Sequence, residues 1–327
     1  MQVCYILRHP ESFFFSIERL CRVLAGEVQK EATVEYFTMP FSSSMLGAPA
    51  NLAALPKGKN TIYHIIGDVY YASLGLPRER TVVTYHDAVL LHRFSGLKKR
   101  ILLEYSYRKP IARSGAVTVV SEFSKTELDK ACGGLNRPVQ VIHNPVDPIF
   151  SESSHINANG RPRVLQVGVT RHKNVDVTIQ AMAGLDCELH VVGHPDPSLT
   201  EMARRNSVPI EWHTGVTEQQ LVDLYSSATL VAFASSYEGF GLPIIEAQAV
   251  GRPVITSRCC SLPEVAGDGA LFVEPGNVQE LRAAIRQLLD DSALRDSLVE
   301  RGRRNVERFS LSRIAAEYLA VYRSLLN

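Results

Sequence analysis

Two carboxylates, two cations and a histidine carry most of the chemistry legible in this 327-residue chain. The carboxylates lie in Ser235 to Thr256, SSYEGFGLPIIEAQAVGRPVIT, where seven residues separate Glu238 from Glu246. Between them Gly239 and Gly241 let the backbone approach a ligand, and Pro243 suits the first turn of a helix. Each ionised carboxylate accepts several hydrogen bonds, so two converging on one small volume suit neighbouring hydroxyls of a sugar or ribose. The start of the helix adds free N–H groups and a positive dipole end, which together make an anion site. Upstream, VGVTRHKN sets Arg171 and Lys173 just past an apolar run, where a pyrophosphate lies in doubly wound folds. In TVVTYHDAV, His86 and Asp87 end another such run. Taken singly, each has an ordinary alternative: Glu238 a loop charge, Glu246 a dipole cap, Arg171 and Lys173 a solvated loop, His86 a packed histidine. His92, His143 and His172 are read as structural. The combination of carboxylates, glycines, proline and preceding strand points to a ligand.

These residues need elements to hold them. Apolar, β-branched runs alternate with stretches of helical period, which predicts parallel sheets covered on both faces. Strands are expected at Gln2 to Leu7, Val34 to Met39, Thr61 to Ile66, Thr81 to His86, Ala116 to Ser121 and Val139 to His143. The pattern restarts with Arg163 to Gly168, Glu188 to Gly193, Ile210 to Gly215, Leu230 to Ala234, Pro253 to Thr256 and Ala270 to Val273. Helices are expected at Phe13 to Ala25, where Phe13, Phe14 and Phe15 form a buried start, at Leu97 to Ala112 and at Phe123 to Ala131, capped by Ser121. In the second half they fall at Asn174 to Ala183, Glu218 to Ser227, Pro243 to Val250, Val278 to Leu289 and Leu294 to Arg308. The fold class is therefore α/β, with two facing Rossmann-like domains and a site in the cleft between them. The boundaries read as 1–150, a polar linker at 151–162, 163–309, and a terminal helix at 310–327. That helix carries Ile314, Tyr318, Val321, Tyr322 and Leu325 on one face, which docks on apolar surface, expected to be that of the first domain.

Composition narrows the class. With 35 Lys+Arg against 34 Asp+Glu, the chain has no basic surplus for nucleic acid. No run approaches the ~18 apolar residues that span a bilayer, and the first residues lack the layout of a secretory signal, so a cytoplasmic protein is expected. The six cysteines form no Cys-x-x-Cys and no His-spaced zinc pattern and read as buried thiols. One basic amphipathic stretch stands out, Leu97 to Arg113, with Lys98, Lys99, Arg100, Arg108, Lys109 and Arg113 among Leu97, Ile101, Leu102, Tyr105 and Tyr107. It fits either an anionic membrane surface or a solvated helix packed by one face.

EGFGLPIIE, followed by AVGRPVITS and LPEVAGDGALFVEPGN, resembles the Glu-x7-Glu signature and continuation of the family 4 retaining glycosyltransferases of the bacterial type, which have the GT-B fold. VSEFSKTEL, VIHNPVDPIF and VGVTRHKN resemble family segments in the same order, so the likeness runs from about Thr81 to the end. The resemblance implies that Glu246 holds the nucleotide ribose and Glu238 the donor-sugar hydroxyls. It implies backbone contacts to diphosphate or sugar from Gly239, Phe240, Gly241 and Leu242. Lys173 and Arg171 neutralise the leaving diphosphate, in a loop one residue shorter than the common form, and His86 sits beside the reacting carbon. The implied donor is a GDP- or UDP-sugar and the acceptor a glycan or lipid-linked hydroxyl, in surface polysaccharide (lipopolysaccharide) synthesis. The enzyme would be a hexosyltransferase without cofactor, peripheral at the inner membrane face through Leu97 to Arg113. No Asp-x-Asp occurs, so no metal is expected on the nucleotide. The chain departs from the family after its first strand, where RHPESFFFSIE replaces a glycine-rich loop. A glycoside phosphorylase on the same fold and a non-catalytic sugar-nucleotide-binding subunit are the alternatives.

Overall fold

The computed structural model describes residues 1–9, 16–42, 47–89, 91, 94–151 and 160–326. The expected helix start at Phe13 to Phe15, His92, and residues 152–159 of the expected linker lie outside them. The chain forms two compact units, one of Met1–Pro145 with Leu311–Asn327, the other of Val146–Ser310.

In the first unit β1 (Gln2–Leu7), β2 (Thr33–Thr38), β3 (Thr61–Ile65), β4 (Thr81–Tyr85), β5 (Ala116–Val119) and β6 (Gln140–Val141) form one sheet. Its order is β2-β1-β3-β4-β5-β6, and every pairing is parallel. Sequence predicts how deep each strand lies. All residues of the apolar β3 and β4 are buried, whereas the edge strand β2 buries none. At the other edge β6 is shorter than its apolar run, since it pairs with β5 only through Gln140 and Val141.

The helix Leu311–Ser324 closes this unit. It buries Ile314, Ala315, Tyr318, Leu319, Val321 and Tyr322 against Val3, Tyr5, Leu24 and Val28. A buried polar chain runs through the contact: His64 Nδ1 lies 2.7 Å from the Tyr322 hydroxyl and Nε2 lies 2.7 Å from Thr84 Oγ1. Satisfied in this way, the polar atoms avoid the cost of unpaired burial and fix how the helix docks.

The second unit holds β7 (Arg163–Val167), β8 (Glu188–Val192), β9 (Ile210–His213), β10 (Leu230–Phe233), β11 (Val254–Ser257) and β12 (Ala270–Val273). The order is β12-β11-β10-β7-β8-β9, again wholly parallel. The chain builds outward from β7 to β9, then returns to the other side of β7 with β10. Direction therefore reverses between β7 and β10, and the crevice beyond their carboxyl ends is where such sheets take ligands.

Helices follow local signals. Glu218–Ser227 begins at a capping box of Thr217 and Gln220, and Leu242–Val250 runs from Gly241 to Gly251, both in the left-handed region. The predicted single helix from Leu97 is broken: Gly96–Leu102 widens into a π-helical segment, Leu103–Arg108, before Lys109–Ala112. Among the described residues, the α-helices Gly47–Ala54, Pro197–Arg205 and Leu262–Ala266 were not foreseen. No helix among the described residues is long and apolar enough to cross a membrane.

Candidate functional site

The two loops that flank the switch point in the second unit carry most of the residues singled out above. After β7 the chain makes one tight turn, Arg171–Lys173, then passes through Asn174 at φ 54°. Among the hydrogen bonds that hold that turn, Gln166 Nε2 donates to the Lys173 carbonyl at 2.7 Å, and Asn174 Nδ2 donates to the Ala234 carbonyl at 2.8 Å. The second bond, with that from the Ser236 amide to the His172 carbonyl at 2.8 Å, ties the loop after β7 to the loop after β10. Lys173 Nζ then reaches Glu238 Oε1 at 2.6 Å and lies 4.3 Å from the centre of the Phe233 ring. Both side chains are largely shielded, 16% and 13% exposed. His172, read as structural, comes within 4.0 Å of the same Glu238 oxygen. Arg171 is exposed in the same turn.

Glu238 is fixed from behind. Ser261 Oγ lies 2.8 Å from the Glu238 carbonyl and 2.8 Å from that of Phe240. Between these carbonyls and the helix, Gly241 adopts φ 109°, and a Cβ there would lie 2.9 Å from Leu262 Cδ2. Glycine is required on both counts. Gly239 and Phe240 are buried in this turn and Leu242 opens the helix half-buried. Glu246 sits one turn into the helix at 9% exposure, where the Tyr225 hydroxyl donates to its Oε2 at 2.8 Å. Phe150 packs edge-on against Tyr225 with ring centres 5.6 Å apart. Two buried polar atoms at the same strand ends, Gln166 Oε1 and Ser235 Oγ, have no partner among the described residues.

The arrangement offers a carboxylate paired with an ammonium, a second buried carboxylate and a helix start at the end of a parallel sheet. That set can hold an anion beside a polyhydroxylated group.

His86 lies in the first unit, just past β4. Its Nε2 is 2.7 Å from the Ile66 carbonyl, and Ser124 Oγ donates to the His86 carbonyl at 3.2 Å. Burial pulls the imidazole down to about 4, and the Ile66 bond, which favours the charged form, offsets only part of that. The ring is therefore neutral at pH 7. A carbonyl can only accept, so Nε2 carries the hydrogen and Nδ1 is left as an acceptor. Asp87 caps the local turn, accepting from the Val89 amide at 2.9 Å. Ser121 accepts from the Ser124 amide at the start of its helix, as expected of an N-cap.

The glycosyl transferases group 1 model matches residues 150–305, and the glycosyltransferase family 4 model matches residues 19–150. The chain belongs to glycosyltransferase family 4. It is 27% identical over 305 residues to an O-antigen chain mannosyltransferase B of Escherichia coli, covering 83% of this chain and 76% of that protein. It is 38% identical over 166 residues to an MMP alpha-(1->4)-mannosyltransferase of Mycolicibacterium hassiacum, 46% of this chain and 39% of the relative. Among solved structures, Anabaena Alr3699/HepE in complex with UDP and glucose superposes with a TM-score of 0.81 at 17% identity, covering 99% of this chain and all of that one. That likeness assigns the GT-B fold, in agreement with the two parallel six-stranded sheets.

Within this glycosyltransferase fold, sequence reading brought out Lys173, Glu238, Glu246 and the glycine turn but missed their supports. Tyr225, Ser261 and Gln166 carry no motif of their own, and Asn174 was quoted only as the last residue of VGVTRHKN. Asn174 had a signal, because an asparagine directly after a short turn is well suited to the left-handed region. Of the cysteines, Cys4, Cys21, Cys132 and Cys187 are buried, while Cys259 and Cys260 are only half-buried in the loop after β11.

Proposed function

We propose that this glycosyltransferase is a retaining, metal-independent hexosyltransferase. It would move a sugar from a GDP- or UDP-sugar to a hydroxyl of a glycan or lipid-linked acceptor in surface polysaccharide assembly. The observation that carries the reading is the 2.6 Å contact of Lys173 with Glu238 beside the start of the helix that holds Glu246. In this reading the diphosphate takes over Lys173, with Arg171 as the second cation, while Glu238 turns to the sugar hydroxyls and Glu246 to the ribose. The cations and the helix end stabilise charge developing on the departing phosphate, a preorganised electrostatic effect that needs no metal. No protein nucleophile is required: the departing phosphate oxygen takes the acceptor proton on the face that the new bond forms. His86, neutral and with Nδ1 as an acceptor, is assigned to the donor sugar by resemblance.

Two relatives are mannosyltransferases by name, one of an O-antigen chain, which makes mannose the first sugar to test. The Anabaena structure contains UDP and glucose, so UDP-sugars belong beside GDP-sugars in the panel. Membrane contact at the inner face has its own support. Leu97, Ile101 and Tyr105, spaced by four, are 72%, 52% and 49% exposed, with Lys98, Lys99 and Arg100 exposed among them. An apolar ridge flanked by cations suits an anionic bilayer surface, each cation contributing about 1 kcal/mol.

The test is a thermal-shift panel of UDP, GDP, ADP and their sugar conjugates with a chelator present, followed by transfer assays on the best donor. A bound donor raises the melting temperature by mass action. A chelator-resistant shift abolished in Glu246→Ala, with transfer lost in Lys173→Ala, supports the proposal. Phosphate-dependent release of a sugar phosphate in place of transfer replaces it with the phosphorylase reading.

A further inference from the structure

A second constellation lies on the two outer strands β8 and β9 of the second unit. The sheet register sets His190 opposite Glu211 and Val192 opposite His213. Residues two apart on a strand share a face, so His190, Glu211 and His213 meet on one side, with Glu188 beside them. His190 Nδ1 lies 2.9 Å from His213 Nε2. Glu211 Oε2 lies 3.8 Å from His190 Nδ1 and Glu211 Oε1 lies 3.8 Å from His213 Nε2, and one ligand atom from each of the three residues falls within 4.8 Å of the others.

The protonation pattern of His190 is set from its far side. Its Nε2 lies 3.0 Å from Glu188 Oε1, and Arg163 Nε donates to that same oxygen at 2.9 Å. An ionised carboxylate only accepts, so His190 Nε2 carries the hydrogen and Nδ1 presents its lone pair toward His213 and Glu211. Histidines that ligate metal are oriented in this way, with the second ring N–H given to a carboxylate. Burial of His190, with a side chain 8% exposed, holds the ring in that pose, while Glu211 at 65% exposed can close on an ion from solvent.

We propose that His190 Nδ1, His213 Nε2 and the Glu211 carboxylate form a binding site for a divalent cation of borderline softness, of the zinc class. Two imidazoles and one carboxylate are ligands that zinc accepts, and three protein ligands leave a fourth position for water. Ligands at zinc distances of about 2.0–2.2 Å stand about 3.3 Å apart in a tetrahedron, so the 2.9 Å histidine pair must open by about half an ångström, and a single Glu211 oxygen, within 4.8 Å of both nitrogens, must move in by up to about 1.5 Å, which its exposed side chain can supply. The ion pins edge strand β9 to β8, and Glu188 with Arg163 forms the shell behind it. This site is separate from the Lys173–Glu238 pair, which depends on β7 and β10, and stands whether or not the transferase reading does.

The test uses untagged full-length protein, stripped with a chelator, titrated with zinc chloride by calorimetry and with cobalt chloride by visible absorption. The expected result is one zinc per chain, with tetrahedral cobalt bands in the visible. His213→Gln and Glu211→Gln each lower zinc affinity at least about tenfold and the double variant loses it, while Glu188→Gln costs about 10- to 100-fold. Unchanged melting of the two ligand variants in chelator shows that the fold is intact. No zinc uptake by the wild type, or equal uptake by the double variant, overturns the proposal and leaves a direct histidine–histidine hydrogen bond.

Discussion

The ion pair of Lys173 and Glu238 can be made to separate a structural from a catalytic role. Unit charges at about 4 Å attract by about 4 kcal/mol at the effective dielectric of a protein surface. Desolvation of both groups offsets most of that, and with 16% and 13% of the side chains still exposed the net contribution is about 1 kcal/mol. Removing one partner costs more, about 2–3 kcal/mol, because the other charge stays shielded without compensation. Lys173→Met or Glu238→Gln alone should therefore lower the melting temperature by about 5–10 °C. The double variant Lys173→Met/Glu238→Gln removes both charges and should melt within a few degrees of the wild type. Transfer behaves differently if Lys173 neutralises the departing diphosphate. Loss of one such group costs about 10²–10³ in kcat, and removing Glu238 as well cannot restore it. The assays are a melting scan and initial rates with saturating donor. A double variant that regains both stability and transfer would refute the catalytic role and leave Lys173 and Glu238 as a structural pair.

Tyr225→Phe removes the 2.8 Å bond to Glu246 without changing the packing against Phe150, so the donor KM should rise about tenfold with kcat little changed; an unchanged KM would detach Glu246 from the nucleotide. Gly241→Ala combines a left-handed backbone with a 2.9 Å approach to Leu262, which should destabilise the protein by about 2–4 kcal/mol in denaturant titration. The His86 imidazole titrates at about 4 in the fold and near 6.5 when unfolded, so between these values the unfolded chain binds more protons. Its contribution to stability is full above pH ~6.5 and falls as pH drops toward 4, by about 1.4 kcal/mol per pH unit. His86→Asn should flatten the melting temperature against pH in that window, and His64, held at about 3 by its burial, adds a parallel slope that persists in the variant. In vesicle co-sedimentation, Leu97→Glu/Ile101→Glu should abolish binding to anionic membranes while leaving melting unchanged, since both side chains are more than half exposed.

The twelve strands among the described residues were legible because each falls in a β-branched or apolar stretch bounded by turn residues, and central strands of parallel sheets are buried on both faces whatever the partner. The missed helices show what that signal omits. Pro197–Arg205 has little apolar character, yet Asp196 caps it, accepting from the Ser198 and Leu199 amides, and proline occupies its first turn. Cap chemistry alone marked it. Gly47–Ala54 is oriented by the buried Asn51, whose side chain bonds both the amide and the carbonyl of Phe41 and the Tyr71 hydroxyl, a tertiary contact without local trace.

The same division governs the sites. Glu238, Gly241 and Glu246 belong to one loop and one helix, so their juxtaposition follows from chain geometry over a few residues and could be read directly. Lys173 is 65 residues from Glu238, yet it too was legible. Both follow strands that flank a switch point, and strand order brings such loops together without any match of register. Tyr225 with Glu246, and His190 with His213, are of another kind. His190 and His213 are 23 residues apart, and they meet only because the crossover between β8 and β9 returns at a register that sets Glu211 opposite His190, with His213 one pleat further along. Shifting that register by a single residue would turn both Glu211 and His213 to the opposite face. Chemistry assembled by register leaves no fixed spacing in the sequence, and the zinc titration therefore tests a site that no motif search over this chain would reach.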